Sequence, residues 1–235
     1  MKTKDWICLL IIIAIFAPFL LSDTLYDHYQ EANRQHPYLL AFAKFALLAT
    51  FGEMIGLRIK NGNYTEKGFG ILPRAVVWGL LGTWIAIAMK TFASGVPGLM
   101  TSLGLGDLIH PAQEGLTPGN LLRAFLISLM MNTTFGPVFM TLHKITDTHI
   151  LNCQGKPKAL ITPIPFGKIL SSLNWKIQWQ FVFKKTIPLF WIPAHTITFL
   201  LPPQSQVLFA ASLSIILGVI LSIAAVAGRK KENKN

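Results

Sequence analysis

The chain has 235 residues; 52% are apolar and only 13% charged, with a mean hydropathy of +0.49. About a quarter charged is ordinary for a soluble domain. These figures exclude a disordered chain, a coiled coil, a collagen and a disulfide-stapled secreted domain, and they make lipid the main solvent.

A helix needs about 20 mostly apolar residues to cross a hydrocarbon core about 30 Å thick. Six stretches meet or approach that length, which predicts an all-α fold: a polytopic membrane helix bundle of about six transmembrane helices in one integral membrane domain, 1–235. The first, 6–21, follows Met1-Lys2-Thr3-Lys4 in the manner of a signal peptide. Ala17 is followed by Pro18 and no A-x-A pattern closes the run, so it is expected to stay as an uncleaved anchor. The second and third are 38–59 and 72–92. A Gly- and Pro-rich outer loop, 94–118, follows, and a re-entrant path through it stays open. The fourth span is 119–142. The fifth, 177–201, holds Lys184, Lys185, Pro188, Pro193 and His195; a five-span alternative lays its start along the interface. Pro202 and the run 203–206, Pro-Gln-Ser-Gln, make a tight turn, because proline has no donor with which to continue a helix. The sixth span, 206–227, leads into a basic tail, 228–235.

Lys and Arg number 21 against 10 Asp and Glu, a net +11. In a soluble protein that excess would suggest nucleic acid. Membrane proteins, however, concentrate Lys and Arg in cytoplasmic loops. With the N-terminus inside, 17 of the 21 cations fall on the inner side, and Arg34, Lys44, Lys90 and Arg123 stay outside. The outer loops hold Asp23, Asp27, Glu31, Asp107 and Glu114. The excess thus reads as a topology signal for a cell-membrane protein with both termini cytoplasmic, and no nucleic-acid partner is implied. Trp6, Trp175 and Trp179 fall at the inner interface and Tyr38 at the outer one. The sequon Asn63-Tyr64-Thr65 lies inside by the same rule and is discounted.

An ionisable group in the bilayer is costly and is a functional-site candidate by default. Glu53 lies about six residues from the inner end of its span, roughly 9 Å deep at 1.5 Å per residue. Lys184 and Lys185 reach a similar depth, and an ion pair with Glu53 would lower the cost of burying both. The pair reads either as a gate or solute-binding charge, or as a register-fixing structural pair with snorkelling lysines. In the fourth span, Pro137 frees carbonyls a turn earlier, and Asn132, Thr133 and Thr134 can satisfy them or reach another helix. This broken polar centre reads as a cavity lining or as a kink. His195 reads as a satisfied core imidazole or as a pore-lining, proton-carrying group.

His143, Asp147 and His149 do not share one helix face, so they read as a solvated helix end and no metal is assigned. Cys8 and Cys153 suggest neither a disulfide nor a metal site. Paired catalytic carboxylates, H-E-x-x-H, G-x-S-x-G and a phosphate loop are all missing, so no enzyme activity and no cofactor are implied. Gly52 and Gly56 form G-x-x-x-G, and Ala210, Ser214, Gly218 and Ser222 form an i,i+4 ladder. Small residues let backbones approach closely in lipid, within the chain or in a homo-oligomer.

Several of these residues also resemble the Mpv-type family of peroxisomal and inner-mitochondrial membrane proteins, in a bacterial-type form. His36-Pro37 precedes a span ending in Gly52-Glu53, similar to the family's Gly-Asp. Phe135-Gly136-Pro137 resembles its Phe-x-Pro, Trp175 through Gln180 to Ile187-Pro188 resembles its Trp…Gln…Val-Pro region, and Leu221-Ser222 resembles its closing Leu-Ser. The order agrees over about residues 36–222. Leu57, Phe183-Lys184, Ile192 and Leu217-Gly218 depart from the pattern, and the first span lies outside it. The resemblance implies channel-like passage of small solutes and names no substrate.

Three functions are therefore weighed. The first is a small-solute channel or transporter, with the bilayer and a small molecule as partners and Glu53, Asn132, Lys184 and His195 near the path. The second is a non-transporting scaffold or assembly partner built on the small-residue ladder. The third, an intramembrane enzyme, would need His143 and Asp147 to face a pocket.

Overall fold

The computed structural model describes residues 3–109 and 116–232, and all regular structure among them is helical. Lys2, Glu114 and the last three residues of the basic tail lie outside this description. The chain forms two compact units, 1–40 and 41–235.

The first unit holds α1 (Thr3–Leu21) and α2 (Asp23–Gln35). Ser22 between them has extended backbone, and its hydroxyl accepts the Leu25 N–H at 3.3 Å. A side-chain oxygen at that position satisfies a donor that a helix start leaves open. The acidic stretch read as an outer loop is therefore helical, with Glu31 and Arg34 paired at 2.7 Å along its surface. Local spacing explains this: Tyr26 and Gln30, four residues apart, also meet at 2.6 Å.

α3 (Pro37–Asn61) leads into the second unit. There follow α4 (Ile71–Ser102), α5 (Pro118–Asn152), α6 (Phe166–Ser172), the single turn α7 (Trp175–Ile177), a π-helix (Gln178–Trp191), α8 (Ile192–Leu200) and α9 (Pro203–Glu232). Among the described residues, four helices are long and apolar enough to cross a membrane: Pro37–Asn61, Ile71–Ser102, Pro118–Asn152 and Pro203–Ile223.

Three boundaries differ from the sequence reading. α4 runs on to Ser102, so the expected loop over 94–118 is helical in its first part. α5 runs past 142 to Asn152. The stretch 177–201 is not one regular helix. Pro188 cannot donate to the ladder and its ring crowds the preceding turn, and the backbone takes wider turns there: the Ile192 N–H reaches Ile187 O and the Thr186 hydroxyl reaches Phe181 O, each five residues back. The bend before α9 falls at Leu201-Pro202, and Pro203 opens the helix, where a missing N–H costs nothing.

The core runs through Phe45, Trp78, Leu81, Ile127, Met131 and Phe139, with α5 packed against both α4 and α8. α4 and α5 are antiparallel, since Arg74 faces Asp147, Trp78 faces His143 and Trp84 faces Phe135. α3 and α9 cross closely. A Cβ on Gly52 would lie 2.9 Å from Ile215 Cα, one on Gly56 would lie 3.0 Å from Ser222 Oγ, and one on Gly218 would lie 3.0 Å from Gly52 O. Both positions advance together along the chain, so these helices run parallel. Ala210 and Ser222 are buried, and the Ser214 carbonyl sits 3.1 Å from the Gly52 Cβ position. The small residues are thus used inside the chain.

Candidate functional site

The antiparallel register brings the end of α3, the start of α4 and the end of α5 to one end of the second unit. Charged side chains from all three meet there. Arg74 Nη1 lies 2.5 Å from Glu53 Oε2, and Arg74 Nη2 lies 2.5 Å from Asp147 Oδ1. Arg74 Nε donates to Phe69 O at 2.7 Å, and its guanidinium lies over the Phe69 ring at 4.6 Å. The rigid guanidinium fork explains the choice of residue, because one cation engages two carboxylates and a carbonyl at once. The Arg74 side chain is 7% exposed, Glu53 23% and Asp147 16%. Trp78 Nε1 donates to Glu53 Oε1 at 2.9 Å, and His143 Nε2 lies 3.5 Å from the same oxygen. The Trp78 and His143 rings stand 4.4 Å apart, and Lys144 Nζ reaches Asp147 Oδ2 at 3.4 Å from the exposed side.

Two loops close against each other beside this network. Gly70 has φ +71° and Gly155 φ +66°, conformations that favour glycine. A Cβ on Gly70 would lie 2.7 Å from Gly155 Cα, so no side chain fits between them.

A second polar cluster lies within the helices. His195 Nδ1 sits 3.0 Å from the Asn132 amide nitrogen and 3.1 Å from its oxygen. Asn132 Nδ2 donates to Ser128 O at 2.9 Å, and Ser128 Oγ donates to Ile192 O at 2.7 Å. The Trp191 ring stacks on His195 at 5.2 Å. All four side chains are buried.

The candidates from the sequence therefore separate. Asn132 and His195 meet, and Glu53 belongs to the other cluster. Thr133 and Thr134 are exposed and donate back along their own helix to Leu129 O and Met130 O, at 2.8 and 2.6 Å. The ion pair of Glu53 with Lys184 or Lys185 is replaced by the pair with Arg74. Both lysines are exposed, and Lys184 Nζ lies 5.7 Å from the Trp179 ring centroid. A lysine on the outer surface of a helix keeps its ammonium hydrated by snorkelling, whereas Arg74 starts its helix already facing the carboxylates.

His143 and Asp147 are not a solvated helix end either, because α5 continues to Asn152 and turns both inward. His149 faces elsewhere: its Nε2 meets Ala159 O at 3.0 Å, with Cys153 Sγ 3.8 Å away. Among the described residues no group of three or more His, Cys, Asp or Glu is placed to hold a metal ion. Sequence reasoning missed Arg74, Trp78, Ser128 and Trp191 as site residues. The only signal at Arg74 was a cation right after Pro73 at the mouth of a span.

Comparison of the chain with protein-family models, with curated proteins and with solved structures finds no match.

Proposed function

We propose that this chain is a multi-pass protein of a cell membrane that lets a small polar solute cross, and that the Glu53–Arg74–Asp147–His143 network gates that passage. The network is the observation that carries the reading. Ionisable side chains buried between helices are costly to desolvate, and in membrane proteins such paired groups commonly mark ion and solute paths. A guanidinium held between carboxylates of different helices is also an element with two arrangements: closed while Arg74 bridges α3 and α5, open when a charged solute or a protonated carboxylate releases one side. The resemblance to the Mpv-type family supports the same class of function.

The reading includes six crossings with both termini cytoplasmic, the network end facing inward. The 17 cations assigned to that side support it. No reaction is assigned to the protein. The scaffold reading loses its residue-level basis, because Gly52, Gly56, Gly218 and Ser222 pack α3 on α9 within the chain.

The test is flux. Purified protein in vesicles is given small anions, cations, sugars and amino acids of graded size. The expected result is passage of one class, changed about tenfold or more by Glu53→Gln, a variant in which Arg74 keeps Asp147. If folded wild-type protein passes none of these solutes, the transport reading fails.

A further inference from the structure

We propose that the π-helix is a register switch: tightening of its turns to α carries Gln178 off the inward face and brings Gln180 and Lys184 onto it, at the level of Glu53. In the structure Gln178, Ile187 and Trp191 are buried, Val182 and Phe183 are partly buried, and Gln180, Lys184 and Lys185 are exposed. A buried stripe that repeats every four to five residues is the pattern of wide turns, whose hydrogen bonds reach five residues back. In an α-helix each residue turns about 100°. Counted back from Trp191, Ile187 then stands about 40° away, Lys184 and Gln180 about 20° away, and Gln178 about 140° away. Ile187 and Trp191 therefore face inward in both forms, and Gln178 changes sides with Gln180 and Lys184.

Opposing effects set the balance between the forms. Gln178 Nε2 is buried with no hydrogen-bond partner among the described residues, a cost that the tight form removes by turning Gln178 outward. Against this, Pro188 has no N–H for an α ladder, and its ring would crowd the carbonyl of Lys184 four residues back. Pro188 thus keeps the wide form as the resting one.

A lysine turned inward needs a carboxylate, and from 148 to 231 the chain contains no Asp or Glu. Packing on both flanks leads from Lys184 to Glu53. A Cβ on Gly136 would lie 3.4 Å from Ile187 Cδ1, and His195 meets Asn132, so the segment runs antiparallel to α5. Lys184 therefore lies on the His143 side of Gly136, and His143 faces Glu53. On the other flank the inward stripe packs against Leu213 and Leu217 of α9. The next residue there, Gly218, lies against Gly52, the neighbour of Glu53. In the wide form Arg74 bridges Glu53 and Asp147 while Lys184 lies over the Trp179 ring. In the tight form Lys184 competes for Glu53 and Arg74 keeps Asp147, so one side of the bridge is released. Its use as a gate rests on the transport reading; the change of register does not.

The experiment uses the full chain in neutral detergent, with Cys8 and Cys153 replaced by serine and one cysteine placed by Gln178→Cys or Gln180→Cys. Maleimide labelling rates then read which way each position faces. In this background Gln180→Cys should label at once and Gln178→Cys slowly. Pro188→Ala removes the obstacle to α turns and should speed Gln178→Cys labelling about tenfold or more, while Gln180→Cys labelling does not rise. Pro188→Leu should act in the same way, so one folded variant of the two is sufficient. Adding Glu53→Gln should return the Gln178→Cys rate to within about twofold of its starting value, because Lys184 loses its partner. Leu189→Ala, an exposed change beside Pro188, should leave both rates as they were. Unchanged rates in the folded Pro188 variants overturn the switch. So do two rates that rise together, which is the mark of local unfolding. A Gln178→Cys rate that stays high with Glu53→Gln overturns the pairing with Lys184. Labelling needs no solute to cross, so an absence of flux would count against the transport reading and leave the register result standing.

Discussion

Arg74 shows how a single side chain can set the cost of a whole cluster. Its guanidinium lies between Glu53 and Asp147, with Lys144 supplying a second positive charge at Asp147, and it donates to Phe69 O. Removing one partner of a buried ion pair leaves an uncompensated charge, a loss of about 3–5 kcal/mol. Arg74→Gln should therefore lower thermal stability in detergent strongly. Arg74→Lys should recover little of it, because an ammonium on a single stem cannot face two carboxylates and a carbonyl together. If Arg74→Lys melts like the wild type, the bidentate bridge is not what holds these helix ends. The Asn132–His195 contact belongs to a different energy class. Hydrogen bonds between membrane helices average about 0.6 kcal/mol, with a maximum near 1.7. A double-mutant cycle with Asn132→Ala and His195→Ala should return a coupling in that range, read from unfolding midpoints; a coupling near zero would place the two side chains in separate environments. Glu53, Asn132 and His195 were legible in the sequence because each is a polar residue in an apolar run. Their partners were not. Arg74 sits 21 positions from Glu53, and nothing along the chain specifies which residue of one helix faces which residue of the next.

Elements were legible to the extent that hydropathy alone determines them. The stretches 38–59, 72–92 and 119–142 anticipated α3, α4 and α5, and each helix runs beyond the apolar window because backbone bonding continues where hydropathy ends. α2 escaped notice because it is polar, with no apolar stripe to register. The π-helix escaped because Pro188 signals a disturbance without specifying its form. Gly52 was read as a packing residue, but its partner helix could not be. At this scale, glycines in the same protein should behave in opposite ways. Gly52→Leu drives a side chain into the backbone of α9 at Ile215 and should abolish folded yield, since backbone cannot swing aside as a side chain can. Gly98→Ala in α4 meets nothing within 4 Å and should raise stability by about 0.5–1 kcal/mol through the lost freedom of the unfolded chain. Fluorescence-detected gel filtration followed by melting of the recovered protein separates the two outcomes. Equal tolerance at both positions would contradict the close α3–α9 crossing.

For the second unit as a whole, close approaches fix which connections share an end. The α3–α4 loop touches the loop after α5 through Gly70 and Gly155. α9 runs parallel to α3, so its first turn at Gln204 lies at the opposite end, as does Leu103 at the close of α4. To place the start of α9 there, the stretch Gln178–Leu200 must carry the chain from one end to the other. Its two parts are each short, 14 and 9 residues, which is why neither alone has the length of a span. Contacts fix which loops share an end; the charge census adds the expectation that the end bearing Lys67 and Lys156 is the inner one. Both can be tested with an impermeant maleimide on sealed cells expressing a variant in which Cys8 and Cys153 are replaced by serine. Lys67→Cys and Lys156→Cys should both resist labelling until the membrane is opened, and Leu103→Cys and Gln204→Cys should both label at once. Labelling of Lys67→Cys and Lys156→Cys from opposite faces would break the Gly70–Gly155 contact itself. A reversal of all four together would keep the helix arrangement and turn it over in the bilayer, so that the ion network faces outward and the cations mark something other than orientation.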